Sequence, residues 1–162
     1  MTEQDRLLIA IRKIIRATDL YSKHLSKTVG LTTPQLMLLQ SIQELGTVAI
    51  SRLAEEMSLS QATVTTILDR LEGRGLIRRQ RSDQDKRVVH ALLTPAGRKV
   101  LASAPTPLQD SFTERFGALP DWERSMILAA LLRVAQLMDA ESLDASPMLD
   151  VGALDRPSGV ER

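Results

Sequence analysis

The chain has no cysteine. That excludes disulfides, cysteine-ligated zinc and iron–sulfur clusters, thiol catalysis and any redox switch built on a thiol. Aromatics are 2% of the 162 residues: Tyr21, Phe112, Phe116 and Trp122. The core must then come from Leu, Ile, Val, Ala and Met, within an apolar content of 43% that is ample for one domain and suits packed helices. No run approaches the roughly 18 consecutive apolar residues that a membrane span needs. Met1–Asp5 is polar and acidic, without the basic region and apolar stretch of a signal peptide. The expectation is a soluble cytoplasmic protein with no membrane partner. Enzyme signatures are missing too: there is no Ser/His/Asp order in a strand–turn–helix context, no glycine-rich phosphate loop and no carboxylate pair in an apolar setting. No catalytic residue, cofactor or metal is assigned. His24 and His90 fall on different elements, and no His/Asp/Glu group has metal-ligand spacing.

Charge of one sign is scarce only in total. Lys plus Arg number 21 against 20 Asp plus Glu. Residues 1–46 carry 6 basic and 4 acidic side chains, residues 47–100 carry 10 and 6, and residues 101–162 carry 5 and 10. Seven of the ten middle cations lie between Arg70 and Arg87, opposed only by Glu72, Asp83 and Asp85. Such local concentration is the sequence footprint of a polyanion-binding surface, although a solvated face gives a similar run.

Apolar residues recur at helical spacing over about 5–28 (Leu7, Leu8, Ile11, Ile14, Ile15, Thr18, Tyr21, Ser22, Leu25), followed by Gly30 as a stop. Thr33-Pro34 supplies a cap and first-turn proline for a second helix, with Leu36, Leu39, Ile42 and Leu45 on its apolar face and Gly46 at its end. After an extended link at 47–49, Ile50, Leu53, Ala54 and Met57 share one face of a short helix. Ser58–Ser60 forms a tight turn, and Gln61–Arg74 makes a second helix with Val64, Ile67, Leu68 and Leu71 buried. Gly73 and Gly75 end it. Helix, tight turn and helix with apolar inner faces is the helix-turn-helix pattern, here with Ser58 where glycine is common. Leu76–Arg81 and Arg87–Leu93 read as two strands joined by the polar turn 82–86, and Thr94-Pro95 opens a helix over about 95–104. Pro105 and Pro107 break that helix. Helical pattern resumes at 108–119 and again from Pro120 to Met138, where 126–138 is apolar around most of its circumference and needs burial on more than one side. Residues 143–162, with Pro147, Gly152, Pro157 and Gly159, are expected to form a flexible tail.

A helix-turn-helix followed by a cationic hairpin is a winged helix. Ser60, Gln61, Thr63, Thr65 and Thr66 are small polar groups outside the apolar face of the second helix, and fit a major groove. Ser60 serves equally as a helix cap. Arg70, Arg79 and Lys86 add positive charge, and Arg87 sits where the hairpin reaches a minor groove whose negative potential attracts arginine. Asp85 is placed to orient that guanidinium.

Ile50–Met57, Ser60–Thr66, Leu68–Arg79, Ser82–Arg87 and Leu92-Leu93-Thr94-Pro95-Ala96-Gly97 resemble the MarR family of bacterial winged-helix regulators, with the Asp-basic-Arg wing and the following Leu-Thr-x-x-Gly the most specific part. The resemblance extends over about 5–142 in element order. It implies a mainly α fold with a small β-hairpin wing: a winged helix-turn-helix domain at 33–94, and a helical dimerisation region from both chain ends, 1–32 and 95–142. It further implies an obligate homodimer acting as a repressor on a palindromic double-stranded DNA operator. In it Ser60–Thr66 match the recognition helix, and Asp85 and Arg87 the wing pair. Pro105 and Pro107 depart from the family's usual uninterrupted fifth helix.

Regulators of this kind often take a small effector between dimer helices and DNA lobe. Arg16, Tyr21 and His24 on the first helix are the candidate effector-binding residues. The polar stripe Arg12, Arg16, Asp19 and Lys23 also reads as a solvated face with an Arg16–Asp19 pair, and His24 as an exposed helix residue. Residues 14–22, with Pro105–Gln109 and Trp122-Glu123, are similar to the branch that represses compatible-solute (ectoine) genes, which implies an osmotic or ionic signal in place of an aromatic ligand. A winged-helix protein–protein module is the alternative function. The cation density between Arg70 and Arg87 argues against it.

Overall fold

A computed structural model of the chain describes residues 1–143 and 148–150. In order, the elements are α1 (Glu3–Val29), α2 (Thr33–Leu45), β1 (Val48–Ala49), α3 (Ile50–Met57), α4 (Gln61–Gly73), β2 (Ile77–Arg81), β3 (Val89–Leu93), α5 (Pro95–Ser103), α6 (Leu108–Gly117) and α7 (Asp121–Leu137). The fold is mainly helical with one small antiparallel sheet of order β1-β3-β2. Two units divide it, one holding Met1–Pro105 with the described part of Leu149–Arg162, the other Thr106–Met148. Contacts therefore group α1 and α5 with the helix-turn-helix and wing, whereas the sequence places both with the dimerisation region.

The first unit contains the core. Leu25 of α1, Leu31, Leu36, Leu38, Leu39 and Ile42 of the α2 region, Leu53 and Met57 of α3, Val64, Ile67, Leu68 and Leu71 of α4, and Ile77, Ala91 and Leu93 of the sheet are all buried. These are aliphatic chains at helical or alternating spacing, as the shortage of aromatics requires. Helix α2 is more enclosed than expected. Its cap is Thr32, one residue before the expected Thr33, and the buried Gln35 accepts the Thr32 N–H at 3.1 Å. Leu38 is buried while Leu45 is 42% exposed, because α2 is contacted by α3, α4, α5 and β3 and only its last turn projects beyond them. The extended link pairs as a third strand, with Val48 opposite Ala91. In the hairpin Ile77 pairs with Leu93 and Arg81 with Val89, so Arg87 and Val88 belong to the turn rather than to the strand.

The Leu-Thr-x-x-Gly stretch is a joint between hairpin and α5. Thr94 Oγ1 lies 2.7 and 3.0 Å from the carbonyl oxygens of Gly75 and Leu76, and accepts the Gly97 N–H at 3.0 Å. A Cβ on Gly97 would stand 2.0 Å from the Leu76 oxygen, so only glycine lets α5 approach this closely.

In the second unit, Pro107 and Pro120 cap α6 and α7 from extended backbone, Phe112 and Phe116 stack with centroids 5.6 Å apart, and neither helix has a buried residue. Residues 104–107 are non-helical, as Pro105 and Pro107 dictate. Of the expected tail, 144–147 and 151–162 lie outside the described residues. Residues 148–150 are half-buried, and Asp150 accepts a 2.8 Å hydrogen bond from Ser22. Among the described residues no helix is long and apolar enough to cross a membrane.

Candidate nucleic-acid interface

Helix α3 ends at Ser58, whose left-handed backbone (φ 50, ψ 41) supplies the turn that glycine often makes. Leu59 returns its N–H to the Ala54 oxygen at 2.9 Å, and the chain then opens α4. Ser60 is the N-cap: its Oγ accepts the Thr63 N–H at 3.1 Å and lies 2.9 Å from Thr63 Oγ1. The cap reading of Ser60 holds, and the residue is exposed at the helix tip. Thr66 Oγ1 returns to the Ala62 carbonyl at 3.0 Å. Gln61 and Thr65 have no side-chain hydrogen bond among the described residues, so their polar groups are unspent. Gln61 is exposed and Thr65 half-exposed. The opposite face of α4 is the buried row Val64, Ile67, Leu68 and Leu71, which fixes the polar edge outward.

The wing tip is built by two short side chains. Ser82 Oγ accepts the N–H groups of Gln84 and Asp85 at 3.2 and 3.3 Å, while the Ser82 N–H donates to the Val88 carbonyl at 2.9 Å. Asp85 Oδ1 accepts the Arg87 backbone N–H at 3.0 Å and its Nε at 3.3 Å. The Arg87 side chain is still 93% exposed, so the carboxylate aims the guanidinium without covering it. Lys86 is exposed beside it.

The seven cations of the run are not equivalent. Arg78, Arg81, Lys86 and Arg87 are exposed and Arg70 is half-exposed. Arg79, placed in the binding set by sequence, turns inward with a 20% exposed side chain: it pairs with Asp69, its Nε lies 3.2 Å from Glu72 Oε2, and its backbone N–H donates to Glu72 Oε1 at 2.8 Å. A guanidinium between two carboxylates ties β2 to α4 and has little charge to offer a phosphate. Arg74 is engaged with backbone carbonyls of α1. Arg78 and Arg81, outside the expected binding set, are exposed cations on β2 with no ion pair among the described residues. Arg81 shares the strand face of Arg79, so alternation alone does not sort them.

The three effector candidates do not form one cluster. Arg16 and Lys23 both pair with Asp19, at 3.1 and 3.3 Å. Tyr21 is half-buried with its hydroxyl 3.5 Å from the Pro105 oxygen, and His24 is exposed. An open cleft of about 210 Å³ lies elsewhere, between the end of α2 and β3, with Arg98 at its edge.

An exposed polar edge on a helix-turn-helix beside a cationic wing is an arrangement for duplex DNA, and the relatives agree. Residues 31–89, from the start of α2 to the wing, match the MarR family. The transcriptional regulator HosA of Escherichia coli O157:H7 is 34% identical over 133 residues, covering 82% of this chain and 96% of HosA. The chain belongs to the MarR family. It is a DNA-binding transcriptional regulator. Among solved structures, this MarR protein is similar to a MepR-like protein complexed with pseudoligands (TM-score 0.59, 25% identity, 85% of this chain and 97% of that one). It is likewise similar to the regulator BldR of Sulfolobus solfataricus (TM-score 0.55, 28% identity, 85% and 99%).

Proposed function

We propose that this MarR-family regulator is a homodimeric repressor that binds a palindromic operator, with one α4 in each of two successive major grooves and each wing in the flanking minor groove. The observation that carries the reading is the pairing of a polar edge on α4 (Ser60, Gln61, Thr63, Thr65, Thr66), on which Gln61 and Thr65 are unspent, with an exposed Arg87 aimed by Asp85. Base edges are read by such groups in the major groove, and arginine is drawn into the narrow minor groove. Arg70 and Lys86 supply backbone contacts, and Arg79 supports α4 from behind. Dimerisation is supported by the apolar surface left uncovered in one chain: Leu8, Ile14 and Ile15 on α1, and Met126, Leu128 and Leu132 on α7, are each more than half exposed. The target makes the cytoplasm the place of action, with no catalytic step.

A nuclease footprint on the DNA upstream of its own gene tests this. A protected stretch with two-fold symmetry of about two helical turns is expected, and absence of protection at physiological salt contradicts it.

Control is by a small effector or by an osmotic or ionic signal. Of Arg16, Tyr21 and His24, Tyr21 is the half-buried one, with its hydroxyl 3.5 Å from the Pro105 oxygen, and is the residue on which ligand sensing is tested. Thermal-shift titrations with phenolic acids, compatible solutes and salts separate the two classes. A phenolic shift that Tyr21→Phe abolishes supports the first, and a response to solutes or salt alone the second.

A further inference from the structure

One residue at the base of the recognition helix closes two helices, α4 with its backbone and α1 with its side chain. The Arg74 backbone caps α4, its N–H donating to the Arg70 carbonyl at 3.2 Å. Its guanidinium reaches back to the end of α1, where Nη1 donates to the Gly30 oxygen at 2.6 Å and Nη2 to the Val29 oxygen at 3.3 Å. Gly30 has left-handed backbone (φ 66), and its N–H closes the helix on Ser26 at 2.8 Å, beyond which α1 offers Val29 and Gly30 no helical donor. A cation there also meets the negative end of a 27-residue helix. Glycine suits that left-handed backbone, and a Cβ at position 30 would stand 3.2 Å from Nη2, a tight contact that glycine leaves open.

We propose that Arg74 is a positioning residue for operator binding, a clasp that sets the direction of α4 relative to α1. The buried row of α4 packs through apolar contacts, which are non-directional, and the Arg79 bonds to Asp69 and Glu72 tie α4 to β2 rather than to α1. The two hydrogen bonds from Arg74 are directional and sit at the base of α4. From Arg74 to Ser60 the helix runs about 20 Å, so a pivot of ~10° at the base moves the reading tip by ~3.5 Å, enough to lose a base contact. In the dimer, α1 carries the exposed apolar face of the interface, and the clasp then fixes each reading helix to its dimer helix. This last step rests on the proposed homodimer.

The test compares wild type, Arg74→Ala and Arg74→Lys as full chains. Operator affinity and its salt dependence are measured on unlabelled protein. Distances between nitroxides on Ala62→Cys, exposed on α4 in a chain with no other cysteine, are measured without DNA. Both variants are expected to bind roughly three- to thirtyfold more weakly, with the salt slope unchanged and a broadened interprotomer distance. Lysine keeps the charge but lacks the two-carbonyl fork. Wild-type affinity and distance in both variants overturn the clasp. So does a loss confined to Arg74→Ala with the slope reduced by about one phosphate, which makes Arg74 a phosphate ligand. Should Arg74→Ala fail to fold, Arg74→Lys decides by the same criteria. If wild type gives no interprotomer distance, the homodimer falls, and affinity with salt slope still decides the clasp.

Discussion

At the scale of single residues, chemically identical side chains have been given different work. Arg87 is almost wholly exposed and aimed by Asp85, Arg79 is held by Asp69 and Glu72, and Arg74 caps α1. Sequence identified the cationic run but could not sort it, because what decides each arginine is a neighbour elsewhere in the chain. For Arg74 that neighbour is Gly30, 44 residues away. Asp85 was legible because its partner is two residues on and the hydrogen bonds are local. Three expected outcomes follow from the sorting. Arg87→Ala should weaken binding several-fold on any duplex and lower the log–log salt slope by about one contact, read by titration at several salt concentrations. Gln61→Ala should instead cost about 1–3 kcal/mol of preference for the operator over a scrambled duplex, with the slope unchanged. Gly97→Ala should destabilise the fold by at least ~1–3 kcal/mol, since the new methyl meets the Leu76 backbone, which cannot swing aside. Thermal or urea unfolding measures that.

At the scale of elements, long periodic segments were readable and short ones were not. The helix-turn-helix, the hairpin and the break at Pro105 and Pro107 follow from apolar spacing, glycine stops and proline chemistry. Strand β1 has two residues, too few for any period, and acquires its identity only from pairing with β3. Likewise Thr32 and Thr33 are both good caps in isolation, and the buried Gln35 amide selects the first. Helix α1 begins with a reciprocal cap. Thr2 donates its N–H to Asp5 Oδ2 at 2.7 Å, Asp5 donates its N–H to Thr2 Oγ1 at 3.1 Å, and the Thr2 backbone bond, then its hydroxyl, hold the Asp5 carboxyl below its usual 3.8. A lowered carboxyl stabilises the fold above its unfolded value and stops doing so as the pH falls through the folded one. The first turn of α1 should therefore loosen on acidification below that usual value, seen as movement of the Arg6 amide resonance, and Asp5→Ala should remove this pH dependence.

At the scale of the whole molecule, a net charge of +1 conceals a cationic middle stretch, 47–100, and an acidic final stretch, 101–162. The apolar residues that the core does not use are concentrated on α1 and α7, and the sequence marks the second of these as needing a partner. Helix α7 has no buried residue although seven consecutive positions, 126–132, are apolar. One chain leaves that surface in water, which is why the sequence could say only that it wanted covering. Placing a charge within it, as in Leu132→Glu, should shift sedimentation from dimer to monomer and weaken operator binding by an order of magnitude or more, because two half-sites are then bound separately. The most direct test of the central claim is an anisotropy titration of the full chain against a labelled duplex from upstream of its own gene, and against a scrambled duplex, at several salt concentrations. Specific binding at least about a thousandfold tighter than to the scrambled duplex, with log affinity falling linearly in log salt, is predicted. Equal affinity for both duplexes, or affinity indifferent to salt, would contradict it.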